Sequence, residues 1–177
     1  MSSEISKIAG YPFSSSDELL LDTNVWLLVY APHRPDDSRV TVYSQALADI
    51  LAAKSRIYID VLIVSEFINR YAQLAHKLTA PKVKLKEFRK SEGFIPIARE
   101  ISADTRRVLD LCTRVGDGFE ALDIDGLMSE YAKGGSDFND QVIAELCRVQ
   151  GFKLVTDDAG FGGRGIPLVT ANKQLLD

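Results

Sequence analysis

DELLLDTNVWLLVYA, residues 17–31, holds two apolar runs hinged on one acid. Residues 19–22, LLLD, follow the turn-forming Ser14-Ser15-Ser16-Asp17 and read as a short buried strand with Asp22 at its C-terminal end. From about 24 to 30 the pattern is helical. A strand of leucines is a costly place for an unpaired carboxylate, so Asp22 needs a reason to be there.

The same alternation continues down the chain. A Pro-bounded loop, Pro32-His33-Arg34-Pro35-Asp36-Asp37, leads to an amphipathic helix over 39–54, a strand over 57–60, and a helix over 62–78 that carries Glu66 and is stopped by Pro81. Helical patterns resume over 82–90 and 98–114, separated by Gly93 and Pro96. Residues 119–122 suggest a third strand and 125–133 a helix; Gly134-Gly135-Ser136 is a break and cap before a helix over 138–150. Strands over 152–156 and 167–169 complete the series. Strands alternating with helices through right-handed crossovers describe an α/β fold: a three-layer sandwich with a short parallel sheet of about five strands flanked by helices. Residues 77–118 add helices without an obvious strand and read as a helical insertion.

The 177 residues suit one domain, 1–177, with a substantial core. Hydrophobic residues at 46%, charged residues at 26% and a mean hydropathy of −0.02 exclude a disordered or low-complexity chain. The longest purely apolar run, 25–31, is far below the roughly 20 residues of a membrane span, and MSSEISKIAG has no signal-peptide core. Cys112 and Cys147 belong to no metal-binding cluster, which fits a reducing, cytoplasmic setting without structural zinc. A net charge of −4 argues against indiscriminate attraction to nucleic acid, yet a metal-dependent nuclease can gather acids at its site and confine its bases to one groove.

In open α/β sheets, sites form at the C-terminal ends of strands and the helix starts beside them, and the acids fall there repeatedly. Asp22 ends the first strand, Glu66 lies early in the helix after the second, Asp137 and Asp140 begin the helix after the glycine break, and Asp157 and Asp158 end the fourth strand. Asp137 and Asp140, three apart, share a helix face. Taken singly, each helix-start acid is also a good cap. Together, carboxylates about 4 Å apart repel by about 4 kcal/mol per pair at an effective dielectric of 20, a cost that a cation relieves. Oxygen donors without His or Cys favour Mg²⁺ or Mn²⁺ over zinc. Such an ion orients and deprotonates water and stabilises charge on a phosphate, which points to phosphodiester hydrolysis.

The segments LLDTNV (20–25), VSEF (64–67), DQVIAEL (140–146) and LVTDDAGF (154–161) occur in the order and context of PIN domains. The sequence resembles the VapC-like bacterial and archaeal members of that family from about 18 to 170, with 77–118 unmatched. The resemblance implies a PIN-like fold and a Mg²⁺- or Mn²⁺-dependent ribonuclease. Asp22 matches the first family aspartate, Glu66 the glutamate, Asp140 the helix aspartate and Asp158 the last acid, and Thr23 or Asn24 the small polar residue supporting the first. Asp157 is an alternative for the fourth role, and Asp137 is either a further ligand or only a cap. The resemblance also implies an RNA substrate, a homodimer, and an antitoxin protein as partner if the chain is the toxin of a toxin–antitoxin pair.

Other motifs carry less. Residues 160–165, GFGGRG, match GxGxxG literally, but a dinucleotide fingerprint must open a helix, and IPLV after it leads into a strand. A loop beside the acids fits better, with Arg164 able to touch a phosphate. Lys82, Lys84, Lys86, Arg89 and Lys90 form the one dense basic stretch, with Arg106 and Arg107 adding to it if the insertion folds back; it is either an RNA track or a solvated helix face. Trp26, Leu27, Val29 and Tyr30 suit core or dimer packing. His33 and His76 are far apart and no GxSxG occurs, so no hydrolase triad is supported. Two other function classes remain beside the nuclease: a catalytically silent PIN-like module binding RNA or protein, and a phosphatase of the haloacid dehalogenase type, which would need an aspartate where Asn24 stands.

Overall fold

A computed structural model describes residues 4–33, 36–116, 118–135 and 137–177. The elements run β1 (Ile5–Lys7), β2 (Glu18–Leu21), α1 (Thr23–Tyr30), α2 (Ser38–Ala52), β3 (Arg56–Ile59), α3 (Val61–Thr79), α4 (Leu85–Phe88), α5 (Phe94–Leu111), β4 (Thr113–Arg114), α6 (Ile124–Tyr131), α7 (Phe138–Gln150), β5 (Lys153–Val155), β6 (Leu168–Thr170) and α8 (Lys173–Leu176). The strands form one sheet in the order β1-β6-β5-β2-β3-β4, every pairing parallel.

The sheet is built around β2. Leu19, Leu20 and Leu21 are all fully buried; because successive side chains point to opposite faces, both faces must be covered by helices, as a parallel sheet requires. From β2 the chain moves through β3 to the β4 edge, whereas β5 leads to β6 on the other side. The order therefore reverses between β2 and β5, and a crevice opens at their C-terminal ends. Leu21 is in register with Val155, and the Asp22 N–H donates to the Val155 carbonyl at 3.0 Å. The residues that follow these two strands are thereby neighbours.

The α/β parallel-sheet architecture stands, with six strands among the described residues where about five are expected. β1 is the addition: three residues in a polar N-terminal stretch, held by pairing Ile5 with Leu168 and Lys7 with Thr170 rather than by any periodicity of its own. The strand expected over 119–122 is not one. Phe119–Ala121 form a single 3-10 turn, entered through Gly118 at φ +66°, with Phe119 60% exposed. The strand of that region is β4, two exposed residues pairing with Tyr58 and Ile59 where the helix was expected to continue to 114. That helix instead begins at Phe94: Pro96 sits in its first turn, where a missing N–H removes no helical bond. The stretch over 82–90 is helical only across α4. Two expectations fall partly outside the described residues: Arg34 and Pro35 of the 32–37 loop, and Ser136 of the glycine break. Gly134 and Gly135 do break the chain, at φ +76° and +83°, and Asp137 caps α7.

Residues 77–118 supply α5, which lies along α3, and the edge strand β4. The two helices are pinned by Asp104, 5% exposed: the Tyr71 hydroxyl donates to one carboxylate oxygen at 3.1 Å and Arg107 to the other at 2.7 Å. A Tyr71→Phe substitution removes one hydrogen bond to a buried charge and is expected to cost about 1.5–3 kcal/mol in urea unfolding. An unchanged midpoint would mean that Asp104 does not anchor α5. Among the described residues no helix is long and apolar enough to cross a membrane.

Candidate active site

Asp22 follows β2 and caps α1, in extended conformation (φ −65°, ψ 156°). Its carboxylate accepts from the Thr23 N–H at 2.6 Å, from the Thr156 hydroxyl at 2.7 Å and from the Asn24 side-chain amide. Thr156, at the end of β5 and fully buried, is the junction of this network: it also accepts from the Asp158 N–H at 3.0 Å and from Asn24 at 3.3 Å. Asn24 in turn accepts the Asp157 N–H at 3.0 Å. The ends of β2 and β5 are thus sewn together by side chains at the strand-order reversal.

Glu66, in the second turn of α3, accepts from Thr23 Oγ1 at 3.1 Å and pairs with Arg70 one turn on at 3.0 Å. Asp137 caps α7 through the Asn139 N–H at 2.8 Å, and Asp140 stands in that helix's first turn. Asp158 accepts the Gly160 N–H at 2.8 Å. Gly160 keeps this approach open, since a Cβ there would press on Asp158 Oδ1 at 3.1 Å and touch Asp140 Oδ2 at 3.6 Å.

Asp22, Glu66, Asp137, Asp140 and Asp158, with Asn24, Arg70 and Asn139, line one pocket of about 200 Å³. Five of the six acids singled out in the sequence therefore face a common space. Asp157 does not: its carboxylate is paired with Arg39 at 3.0 Å and accepts from the Tyr43 hydroxyl at 3.0 Å, so it ties α2 to the end of β5. The pocket offers five carboxylates and two amide oxygens, with no His or Cys among the residues that line it, a set suited to a hard divalent cation. Among the described residues no three His, Cys, Asp or Glu side chains are drawn together as a ready-made coordination set.

Burial pushes the Asp22 carboxyl up to about 7; its bonds from Thr156 and Thr23 oppose this, and the charges of Asp140 and Glu66 add to it. Asp140 is pushed up to about 6, first by burial and then by Asp158 and Asp137, with Arg164 opposing. Two crowded carboxyls with raised pKa are the electrostatic mark of a site that gains from positive charge. Folding raises the Asp140 pKa above its ordinary 3.8, so without cation the folded state holds the proton that the unfolded chain has lost, and stability falls as pH rises between about 4 and 6. In EDTA, Asp140→Asn is expected to melt near the parent's temperature at pH 4, to exceed it increasingly up to pH 6, and to hold that margin above. A margin that shrinks with pH would contradict it.

Thr156, Arg70 and Asn139 escaped the sequence reading. Arg70 was within reach of it, being four residues after Glu66 on one helix face; nothing local distinguishes Thr156 from any strand-end threonine. The basic stretch lies elsewhere: Arg89 and Arg106 line a groove between α3 and α5 with Ile68, Phe94 and Ile101. The GxGxxG match runs from a 3-10 turn, Ala159–Phe161, into β6 and opens no helix.

The sequence pattern of the PIN domain matches residues 19–166. The chain belongs to the PIN-domain family. PIN domains are generally nucleases. This PIN domain also shares its fold with the crystal structure of VapBC2 from Rickettsia felis bound to a DNA fragment from their promoter, at a TM-score of 0.55 and 15% identity, covering 86% of this chain and 98% of that one. The resemblance to VapC-like members therefore holds in family and fold. No curated protein matches the sequence. Membership also disposes of the dehalogenase-type phosphatase: Asn24 in this PIN domain holds Asp22 and the Asp157 backbone, where that chemistry would need a second acid.

Proposed function

We propose that this PIN domain is a divalent-metal-dependent endoribonuclease that hydrolyses RNA phosphodiester bonds at the acid pocket. The observation that carries the reading is the meeting of Asp22, Glu66, Asp140 and Asp158, from four separate segments, around one pocket at the strand-order reversal. Asp22, Glu66, Asp140 and Asp158 would hold Mg²⁺ or Mn²⁺, with Asp137, which lines the same pocket, as a further ligand or only a cap; the pairing of Asp157 with Arg39 supports leaving it out of this set. A bound divalent ion supplies an activated water and charge stabilisation on the phosphate. The chain's own residues do the positioning. Thr23, Asn24 and Thr156 fix the Asp22 carboxylate, Arg70 and Thr23 fix Glu66, and the Gly160 N–H fixes Asp158.

The reading extends to a cytoplasmic homodimer acting as the toxin of a toxin–antitoxin pair, with an antitoxin protein as partner. It is supported by the likeness to VapBC2 and tested by co-purification with the product of an adjacent gene. Activity is tested by incubating the protein with mixed single-stranded and structured RNA in Mg²⁺ or Mn²⁺, with and without EDTA. Cleavage that EDTA stops is expected; a folded protein that leaves every RNA intact in both metals would overturn the reading.

The groove between α3 and α5, about 540 Å³ and lined by Ile68, Ala72, Phe94, Ala98 and Ile101, favours a second reading, a binding module without turnover. Metal-independent RNA binding that survives Asp140→Asn, with no cleavage by the parent, would select it.

A further inference from the structure

Arg164, in the Gly160–Gly165 loop, is a cation that the proposed chemistry leaves unused. Its Nε donates to the Gly160 carbonyl at 2.8 Å, and its guanidinium carbon lies 5.7 Å from the centroid of the fully buried Phe161 ring. These two contacts pin the side chain on a rigid base. Among the described residues its two terminal nitrogens find no acceptor and its charge no carboxylate within ion-pair distance. The other cations of the adjoining cavity are committed: Lys133 to Glu130 and Arg148 to Glu145.

That cavity, about 600 Å³, lies between α6, α7 and the 160–165 loop, and glycines at 134, 135, 160, 162 and 163 line it. Gly160 also borders two of the acids: it donates its N–H to Asp158, and a Cβ added to it would lie 3.1 Å from Asp158 Oδ1 and 3.6 Å from Asp140 Oδ2. Arg164 therefore stands at the lip between the acids and an open, glycine-lined space. A planar guanidinium with two unused donors matches two oxygens of a phosphate, and glycines leave the backbone bare where a polymer must pass closely. A strand whose scissile phosphate sits at the acids would carry its neighbouring phosphate toward this lip.

We propose that Arg164 binds a backbone phosphate of the substrate strand beside the one cleaved, seating the strand in the cavity between α6, α7 and the 160–165 loop. The proposal rests on the nuclease reading of the acid pocket.

The test measures binding of a labelled single-stranded RNA of mixed sequence by fluorescence anisotropy across a series of NaCl concentrations, in Asp140→Asn protein so that nothing is cut. Adding Arg164→Ala is expected to weaken binding about tenfold and to make the plot of log K against log[NaCl] shallower by about 0.7, the loss of one phosphate contact on a single strand. Adding Arg164→Lys should restore the slope but only part of the affinity, and Arg99→Ala on α5 should change neither. A role confined to stabilising the acids would shift the melting temperature and leave the salt slope alone. Unchanged slope and affinity in Arg164→Ala, while the parent still cleaves RNA, would overturn this inference and leave the nuclease reading standing. A parent that neither binds nor cleaves RNA would overturn both.

Discussion

Asp140→Asn is expected to reduce RNA cleavage more than about 100-fold, beyond the 10- to 100-fold usual for residues that only support metal ligands. Asp140 lies in the first turn of α7 with its charge raised in energy by burial and by Asp158 and Asp137. The substitution keeps size and shape, removes the charge a cation would neutralise, and relieves repulsion in the metal-free fold. The same variant should therefore be no less stable than the parent in EDTA at neutral pH while losing its activity. Quantifying product release from one labelled RNA under single-turnover conditions, beside thermal melts, checks both halves. Activity within a factor of three of the parent would remove Asp140 from the machinery.

Thr156→Val carries the second large effect. The hydroxyl donates to Asp22 and accepts from the Asp158 N–H and Asn24, so an isosteric methyl detaches three groups at once. Because those groups are buried or half-buried, the loss is expected to cost about 1–3 kcal/mol of stability. Cleavage should fall about 10- to 100-fold through misplacement of Asp22 and Asp158. Thr156→Ser, which restores the hydroxyl, should recover most of both. A valine variant that is destabilised but fully active at low temperature would make Thr156 a structural residue only.

The sequence displays what depends on local pattern. LLLD announces the central strand because three leucines in a row are buried on both faces, and the DQVIAEL helix shows its apolar face at helical spacing, so α7 begins and ends where the pattern does. What escapes is set by partners far along the chain. Asp157 and Asp158 are adjacent at a strand end, where successive side chains diverge; which one turns to the pocket is decided by Arg39 and Tyr43, more than a hundred residues away. β1 and β4 are two or three residues long and exist through the edges they join, so no alternation marks them. Pro96 reads as a break because the position that makes it harmless, the first turn of α5, is fixed by Phe94 and Ile97 packing onto the core. The candidate acids were legible as a set; the threonine and arginine that hold two of them were not.

The central claim is that these carboxylates form one cation site serving hydrolysis. It is tested most directly by calorimetric titration of Mn²⁺ into metal-free parent and Asp140→Asn protein at pH 6, where Asp22 and part of the Asp140 population still hold protons that binding must displace. Saturable binding by the parent, accompanied by proton release and weakened at least about tenfold by the substitution, is the expected result. No saturable binding by the folded parent, or identical isotherms for the two proteins, would contradict it.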